Sequence, residues 1–334
     1  MKPFDLKNLN IQVSDIYDDG WLKKNLSLSL LRLDLIDPVI SGNKLFKLYY
    51  FLQKAILSNK KIITFGGAYS NHLAATAAIS KNFSVQSIAI VRGERRSTLS
   101  TTLLYSVEQG MQLEFISRSA YKEKEQQHFL EELHSKFGDH ILIPEGGFGY
   151  DGIKGAAAIY EYIGEAYTHI CCAVGTCTTI AGLITAAHQA QQIIGFSALK
   201  NFDFEKRILH LTDNPSYKNY HFIHDYHFGG YAKKTNELIN FMNTFYDKYM
   251  IPLDFVYTGK MMYGIFDLIS KNYFAEGSKI ICIHSGGLQG NSSLHPGVLN
   301  FLNIKQTITF TNLKQGEFYF VIILCAYSLF LFSY

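Results

Sequence analysis

The sequence predicts an α/β fold, with mostly parallel sheets and helices packed on both faces to make three layers. Three observations point there. Apolar, strand-like runs alternate with stretches of helical period along most of the chain, and several of those runs end directly in Gly-rich turns. At 334 residues the chain exceeds one ordinary core, so one large α/β domain or two lobes is expected. Charged residues make up 18% of it and hydrophobic ones 48%, which implies extensive burial and excludes a disordered chain. Lys and Arg number 31 against 28 Asp and Glu, a formal charge of +3; this excludes a nucleic-acid binder working through bulk charge but leaves room for a local anion site.

In chain order, LSLSLLRLDL (26–35) reads as strand, KLFKLYYFLQKAIL (44–57) has apolar residues at helical spacing, and KKIITFGG (60–67) is a short buried strand ending in Gly-Gly. NHLAATAAIS (71–80) is an Ala-rich helix and SVQSIAIVRG (84–93) another strand. Next come the strand MQLEFIS (111–117), a polar amphipathic helix over 121–137 and the strand HILIP (140–144). The alternation resumes with THICCAVG (168–175), a helix over 178–190, IIGFSA (193–198) and SKIICIHSGG (278–287). Cys171 and Cys172 fall on one strand and must point to opposite faces. Five cysteines, with Cys177, Cys282 and Cys325 completing the set, form no CxxC pair, so reduced thiols are expected. The N-terminal MKPFDLKNLN has no apolar core of a secretory signal, and a cytoplasmic location is the expectation.

Three Gly-rich turns follow strands: Gly66-Gly67 through Ser70-Asn71-His72, Gly175-Thr176-Cys177-Thr178-Thr179, and His284-Ser285-Gly286-Gly287. In open α/β sheets ligands bind at the carboxyl ends of strands, so the three can converge on one pocket. The second places backbone N–H groups and hydroxyls at the positive end of a helix, which suits a phosphate, although a turn with Thr caps and no ligand fits equally. It is neither a Walker A loop nor G-x-G-x-x-G. Ser41-Gly42-Asn43-Lys44 puts a lysine in the first turn of a helix, where a cation opposes the macrodipole unless something recruits it. Partly desolvated, such a lysine can form a Schiff base with an aldehyde; Lys47, one turn on, competes with Lys44 on these grounds.

Six motifs in order carry a family resemblance: Gly42-Asn43-Lys44, Thr64 through His72, Ile143-Pro144-Glu145-Gly146-Gly147, Ala173 through Gly182, Tyr257-Thr258-Gly259-Lys260, and His284 through Gly290. Over residues 20–301 the chain resembles the 1-aminocyclopropane-1-carboxylate deaminase and D-cysteine desulfhydrase family, pyridoxal-phosphate enzymes of the tryptophan synthase β-like fold (fold type II). The resemblance implies two lobes: 1–44 with 156–301 as a large cofactor-binding domain, and 45–155 as a smaller α/β domain. Residues 302–334 lie outside the family pattern. It also implies pyridoxal 5'-phosphate carried by Lys44, with Asn71 on its phenolic oxygen, Gly175, Thr176, Cys177, Thr178 and Thr179 on its phosphate, and Thr258 beside its pyridine nitrogen. Ser70 and Tyr257 are the implied catalytic groups, and Ser70, Asn71, His72, Tyr257 and Ser285 the implied substrate contacts. A homodimer acting on a small amino acid is likewise implied.

Deaminases of this family are expected to carry Glu after the active-site Tyr and Leu before the late Gly-Gly; here those places hold Thr258 and Ser285, the desulfhydrase-like choice. A neutral hydroxyl at 258 makes the ring a weaker electron sink, which favours elimination. The expected reaction is thus D-cysteine to pyruvate, sulfide and ammonia. The alternatives are deamination of the cyclopropane acid to 2-oxobutyrate and ammonia, or a non-catalytic ligand-binding paralogue. Two positions depart from the pattern. Cys177 replaces the usual Gly, and at positive φ its Cβ costs about 1–2 kcal/mol. Phe46 stands where many relatives have Arg.

His221, His224, His227 and Asp225 look like a metal cluster but have poor spacing on either a helix or a strand, so no metal is expected. HFGGYAKK (227–234) belongs, by the resemblance, to a loop near the substrate entrance. FYFVIILCAYSLFLFSY (318–334) has no charge and the lower edge of membrane-spanning length; it reads as a tether, a buried terminal element or a stretch of altered reading frame.

Overall fold

The computed structural model describes residues 4–22, 24–37, 39–40, 42–187, 191–212 and 219–302. Segment 318–334, with Cys325, lies outside the described residues, as does Ser41. Among the described residues no helix is long and apolar enough to cross a membrane.

The alternation of periods becomes ten strands and eleven helices among the described residues: β1 (Gln12–Ile16), α1 (Asp19–Leu22), β2 (Ser27–Arg32), α2 (Asn43–Ser58), β3 (Lys61–Gly66), α3 (Asn71–Asn82), β4 (Ser87–Arg92), α4 (Thr101–Glu108), β5 (Gln112–Ile116), α5 (Arg118–Lys122), α6 (Gln127–Phe137), β6 (His140–Ile143), α7 (Tyr150–Ala157), β7 (His169–Val174), α8 (Thr178–Ala186), β8 (Gln192–Ser197), α9 (Phe204–Thr212), β9 (Tyr220–Ile223), α10 (Asn236–Tyr249), α11 (Thr258–Ser270) and β10 (Lys279–His284). They form two sheets. One has the order β1-β2-β10-β7-β8-β9 and is parallel except for the edge pair β1–β2; the other, β5-β4-β3-β6, is wholly parallel. This is the mostly parallel α/β architecture that the alternation predicts, with one antiparallel edge.

Strand alternation sorts the core. Cys171 packs on one face of the larger sheet with Ile194, Phe196 and the inner faces of α10 and α11, whereas Cys172 faces the opposite cluster with Ile170 and Ile180. That second cluster is continuous with Phe46, Leu48 and Leu52 of α2 and with Ile62 and Ile143 of the smaller sheet, so apolar burial joins the two sheets. Phe46 is fully buried here, edge-on to Tyr162, which gives the position a packing role.

The polar segment 121–137 differs from expectation: it divides into α5 and α6. Ser117 caps α5 through Ala120 N at 3.1 Å, and α6 restarts after extended Gln126. The helix expected over 178–190 ends at Ala186, where Ala187 turns to an extended conformation.

Candidate active site

The site begins at α2. Gly42 adopts φ 68°, and a Cβ there would lie 1.8 Å from the Ser285 carbonyl oxygen, so only glycine lets the chain pass the 284–287 turn. Asn43, itself buried, anchors the lysine beside it. Its Oδ1 accepts from Lys44 Nζ at 2.7 Å, and its Nδ2 donates to Thr179 Oγ1 at 2.8 Å, in the first turn of α8. One amide thus ties the lysine to the 175–179 loop. Burial lowers the Lys44 amine to about 8, against a smaller upward pull from the Asp254 carboxylate. An amine that is partly neutral near pH 8 can attack a carbonyl.

Lys47 is sealed in, 4% exposed. Burial, and then the charge of Lys44, hold it well below the usual lysine range. No carboxylate pairs with it among the described residues. The two lysines left equal by spacing therefore differ in place: Lys44 is half-buried, and Lys47 lies beneath it, near Cys177.

At the 175–179 loop, Cys177 takes φ 67° and ψ −11°, the left-handed conformation that the departure from Gly makes unfavourable. Its thiol is buried and pushed up to about 12, so it is inert as a thiolate. No side chain caps α8. By contrast, Ser70, Ser100, Ser117 and Thr235 cap α3, α4, α5 and α10. The start of α8 therefore keeps first-turn N–H groups, with the Thr176 and Thr178 hydroxyls 3.1 Å apart beside them.

Residues 70–72 come from the turn after β3. Ser70 is half-buried and its hydroxyl accepts from Leu73 N at 3.4 Å. Asn71 Nδ2 donates to the Gly287 carbonyl at 3.2 Å, which links the first and third Gly-rich turns, while its Oδ1 is buried without a partner. His72 is buried, its Nε2 2.8 Å from Thr64 Oγ1; burial, then Lys47 and Lys44, hold it neutral, well below the usual histidine range. Ser285 is buried and its carbonyl accepts from Asn43 N at 3.3 Å.

On the other side, Asp254 is fully buried and accepts four hydrogen bonds: from Val256 N (3.0 Å) and Tyr257 N (2.8 Å) on Oδ1, and from Thr258 N (2.9 Å) and Thr258 Oγ1 (2.6 Å) on Oδ2. Sequence reading did not single it out, since an Asp in a loop carries no signal of burial. Thr258 is fully buried as well, and its hydroxyl hydrogen goes to Asp254, so its neutrality is that of a group backed by a carboxylate. Tyr257 lies against Gly175, where a Cβ would be 3.2 Å from its Oη. Burial, followed by the neighbouring Tyr231, raises the Tyr257 phenol well above its usual range. Tyr231 is a second residue not singled out; its ring is 6.1 Å from that of Tyr257.

The histidines of 221–227 scatter. His221 Nε2 is 2.7 Å from Tyr273 Oη, the His224 ring packs on Phe204, and His227 Nδ1 accepts from Gly229 N at 2.9 Å. Among the described residues no group of three His, Cys, Asp or Glu is placed to hold a metal ion.

Comparison with known proteins identifies the family. The family profile described as "Pyridoxal-phosphate dependent enzyme" matches residues 23–286. The chain is 30% identical over 295 residues to a putative 1-aminocyclopropane-1-carboxylate deaminase of Pyrococcus furiosus, covering 80% of this chain and 87% of that one. It is 29% identical over 299 residues to the bifunctional D-cysteine desulfhydrase/1-aminocyclopropane-1-carboxylate deaminase, mitochondrial, of Arabidopsis thaliana, covering 80% and 74%. The crystal structure of an ACC deaminase homologue superposes with a TM-score of 0.72 at 26% identity, covering 86% of this chain and 92% of that one.

Proposed function

The chain belongs to the pyridoxal-phosphate-dependent enzyme family and is an enzyme that uses this cofactor, and we propose that it eliminates the β-substituent of a small amino acid, converting D-cysteine and water to pyruvate, sulfide and ammonia. The observation that carries the reading is the Asn43 bridge, which joins a lysine lowered to about 8 to the uncapped start of α8. The residues fit the cofactor. Lys44 offers the amine for its aldehyde. Thr176, Thr178, Thr179 and the α8 N–H groups offer donors for its phosphate, and Lys47 offers a buried amine nearby, held well below the usual lysine range, whose protonated form an adjacent phosphate would favour. The orphaned Asn71 Oδ1 marks a polar position that the chain itself leaves unsatisfied. We place the cofactor between lobes of 1–44 with 156–301 and of 45–155.

Bound there, pyridoxal phosphate supplies a conjugated ring that takes up the electron pair left when the α-proton departs. The Lys44 amine, freed when the substrate's own amine takes its place and partly neutral near pH 8, accepts that proton. Ser70 and the 70–72 turn hold the substrate carboxylate and orient the α-carbon. The Tyr257 phenol, kept protonated, gives its proton toward the leaving thiolate. His72, held neutral, places no further cation beside the two lysines.

Thr258 and Ser285, together with the bifunctional plant relative, favour desulfhydration. Deamination of the cyclopropane acid is the second reading, favoured by the name of the Pyrococcus relative. Purified protein loaded with pyridoxal phosphate is expected to absorb near about 410–420 nm. It is then expected to release sulfide and pyruvate from D-cysteine faster than 2-oxobutyrate from the cyclopropane acid. Activity on the latter alone reverses the choice. No absorbance band, with no gain on adding cofactor, points to a ligand-binding module instead.

A further inference from the structure

Lys260 lies in the first turn of α11, and only 1% of it is exposed. A cation there opposes the helix dipole, and burial opposes its charge. Both penalties need a compensating contact, which the 227–232 segment supplies. Nζ donates to the carbonyls of His227 (2.8 Å) and Gly230 (2.7 Å). That segment is an unfavourable backbone: Phe228, Gly229, Gly230 and Ala232 all have positive φ, at 50°, 90°, 112° and 54°. It touches α11 again through the Phe228 ring, edge-on to Tyr263 with centroids 5.0 Å apart. Immediately after the Lys260 anchor comes Tyr231, 53% exposed yet against Tyr257, which in turn covers Gly175.

We propose that Lys260 is a positioning residue: by holding the His227 and Gly230 carbonyls it locks the 227–232 strap so that Tyr231 lies against Tyr257 at the mouth of the site. Lys260 acts through Tyr231 and contacts no reacting atom. The structural half stands on the chain alone; the catalytic consequence rests on the proposed elimination.

Hydrogen exchange on the full-length protein, with and without pyridoxal phosphate, tests it. In Lys260→Met the amides of 227–233 are expected to exchange at least ten times faster, with β7 and β10 unchanged. In Lys260→Arg, which keeps charge and donors, the strap is expected to stay protected. In the loaded enzyme, Lys260→Met is expected to raise KM for D-cysteine and lower kcat, with the cofactor absorbance unaltered. Equal strap protection in wild type and Lys260→Met overturns the proposal, and so does faster exchange spread evenly through both sheets. If Lys260→Met yields no folded protein, Lys260→Leu, which likewise has no donor, is read in the same way. A protein with no desulfhydrase activity but a strap that loosens in Lys260→Met refutes the proposed reaction and leaves the strap intact.

Discussion

Lys44 and Lys260 make an instructive pair. Each lies in the first turn of a helix, each is lowered by burial to about 8, and for each the Asp254 carboxylate is the opposing pull. What differs is where their hydrogens go. Lys260 gives two to main-chain carbonyls that cannot move without moving the strap, whereas Lys44 gives one to an Asn43 side chain and stays half-buried. A depressed pKa therefore does not by itself mark a reactive lysine. Uncommitted donors and access do, and only Lys44 has both.

The largest test of this contrast is to remove each amine. Lys44→Met is expected to lose at least about a thousandfold in sulfide release and all stable cofactor attachment, against roughly tenfold for Lys260→Met. Comparable losses from both would end the distinction. Removing the shared partner comes next. Asp254→Asn withdraws the charge that raises both lysines, so both pKa values fall further. The acceptor lost to the α11 backbone is also expected to destabilise the fold by about 2–4 kcal/mol, readable by denaturant melts.

A third helix start without a lysine sharpens the comparison. At Cys177, Gly relieves the left-handed strain and Ala keeps it, while both delete the thiol. Cys177→Gly is thus expected to be about 1 kcal/mol more stable than Cys177→Ala. Equal stability would mean that the loop tolerates φ 67° at no expense.

The smallest effect is in pH. A lysine lowered from 10.5 to about 8 binds fewer protons folded than unfolded between those values, so its burial penalty is complete below pH 8 and fades as pH rises. The buried thiols Cys172 and Cys177 are raised above 9.0 and oppose this at higher pH. Cofactor-free protein is therefore expected to gain stability from pH 8 to 9, with a shallower rise in Lys44→Met. Differential scanning calorimetry across that interval reads the slope.

Much of the fold was legible because strand period, helix period and Gly-rich turns are local properties. β7 carries this to single residues, with Cys171 and Cys172 on opposite faces. The positive φ of Cys177 was foreseeable only through the family resemblance, which puts a Gly at that place. Asp254, Asn43 as a bridge, and Tyr231 were not legible. Each acts through a partner distant in sequence or through burial: Asn43 meets Thr179 136 residues away, and Asp254 matters because nothing dilutes its charge. The division of 121–137 was missed for the opposite reason, since a local cap at Ser117 and a fresh start after Gln126 outweighed a continuous polar pattern.

The proposed chemistry depends on which amine the cofactor takes. Incubation with pyridoxal phosphate, borohydride reduction and tryptic peptide mass mapping is predicted to put the pyridoxyl mass on Lys44, in the peptide running from Leu33 to Lys47 that the blocked lysine leaves uncut. A label on Lys47 or Lys260, or on no lysine at all, would contradict it.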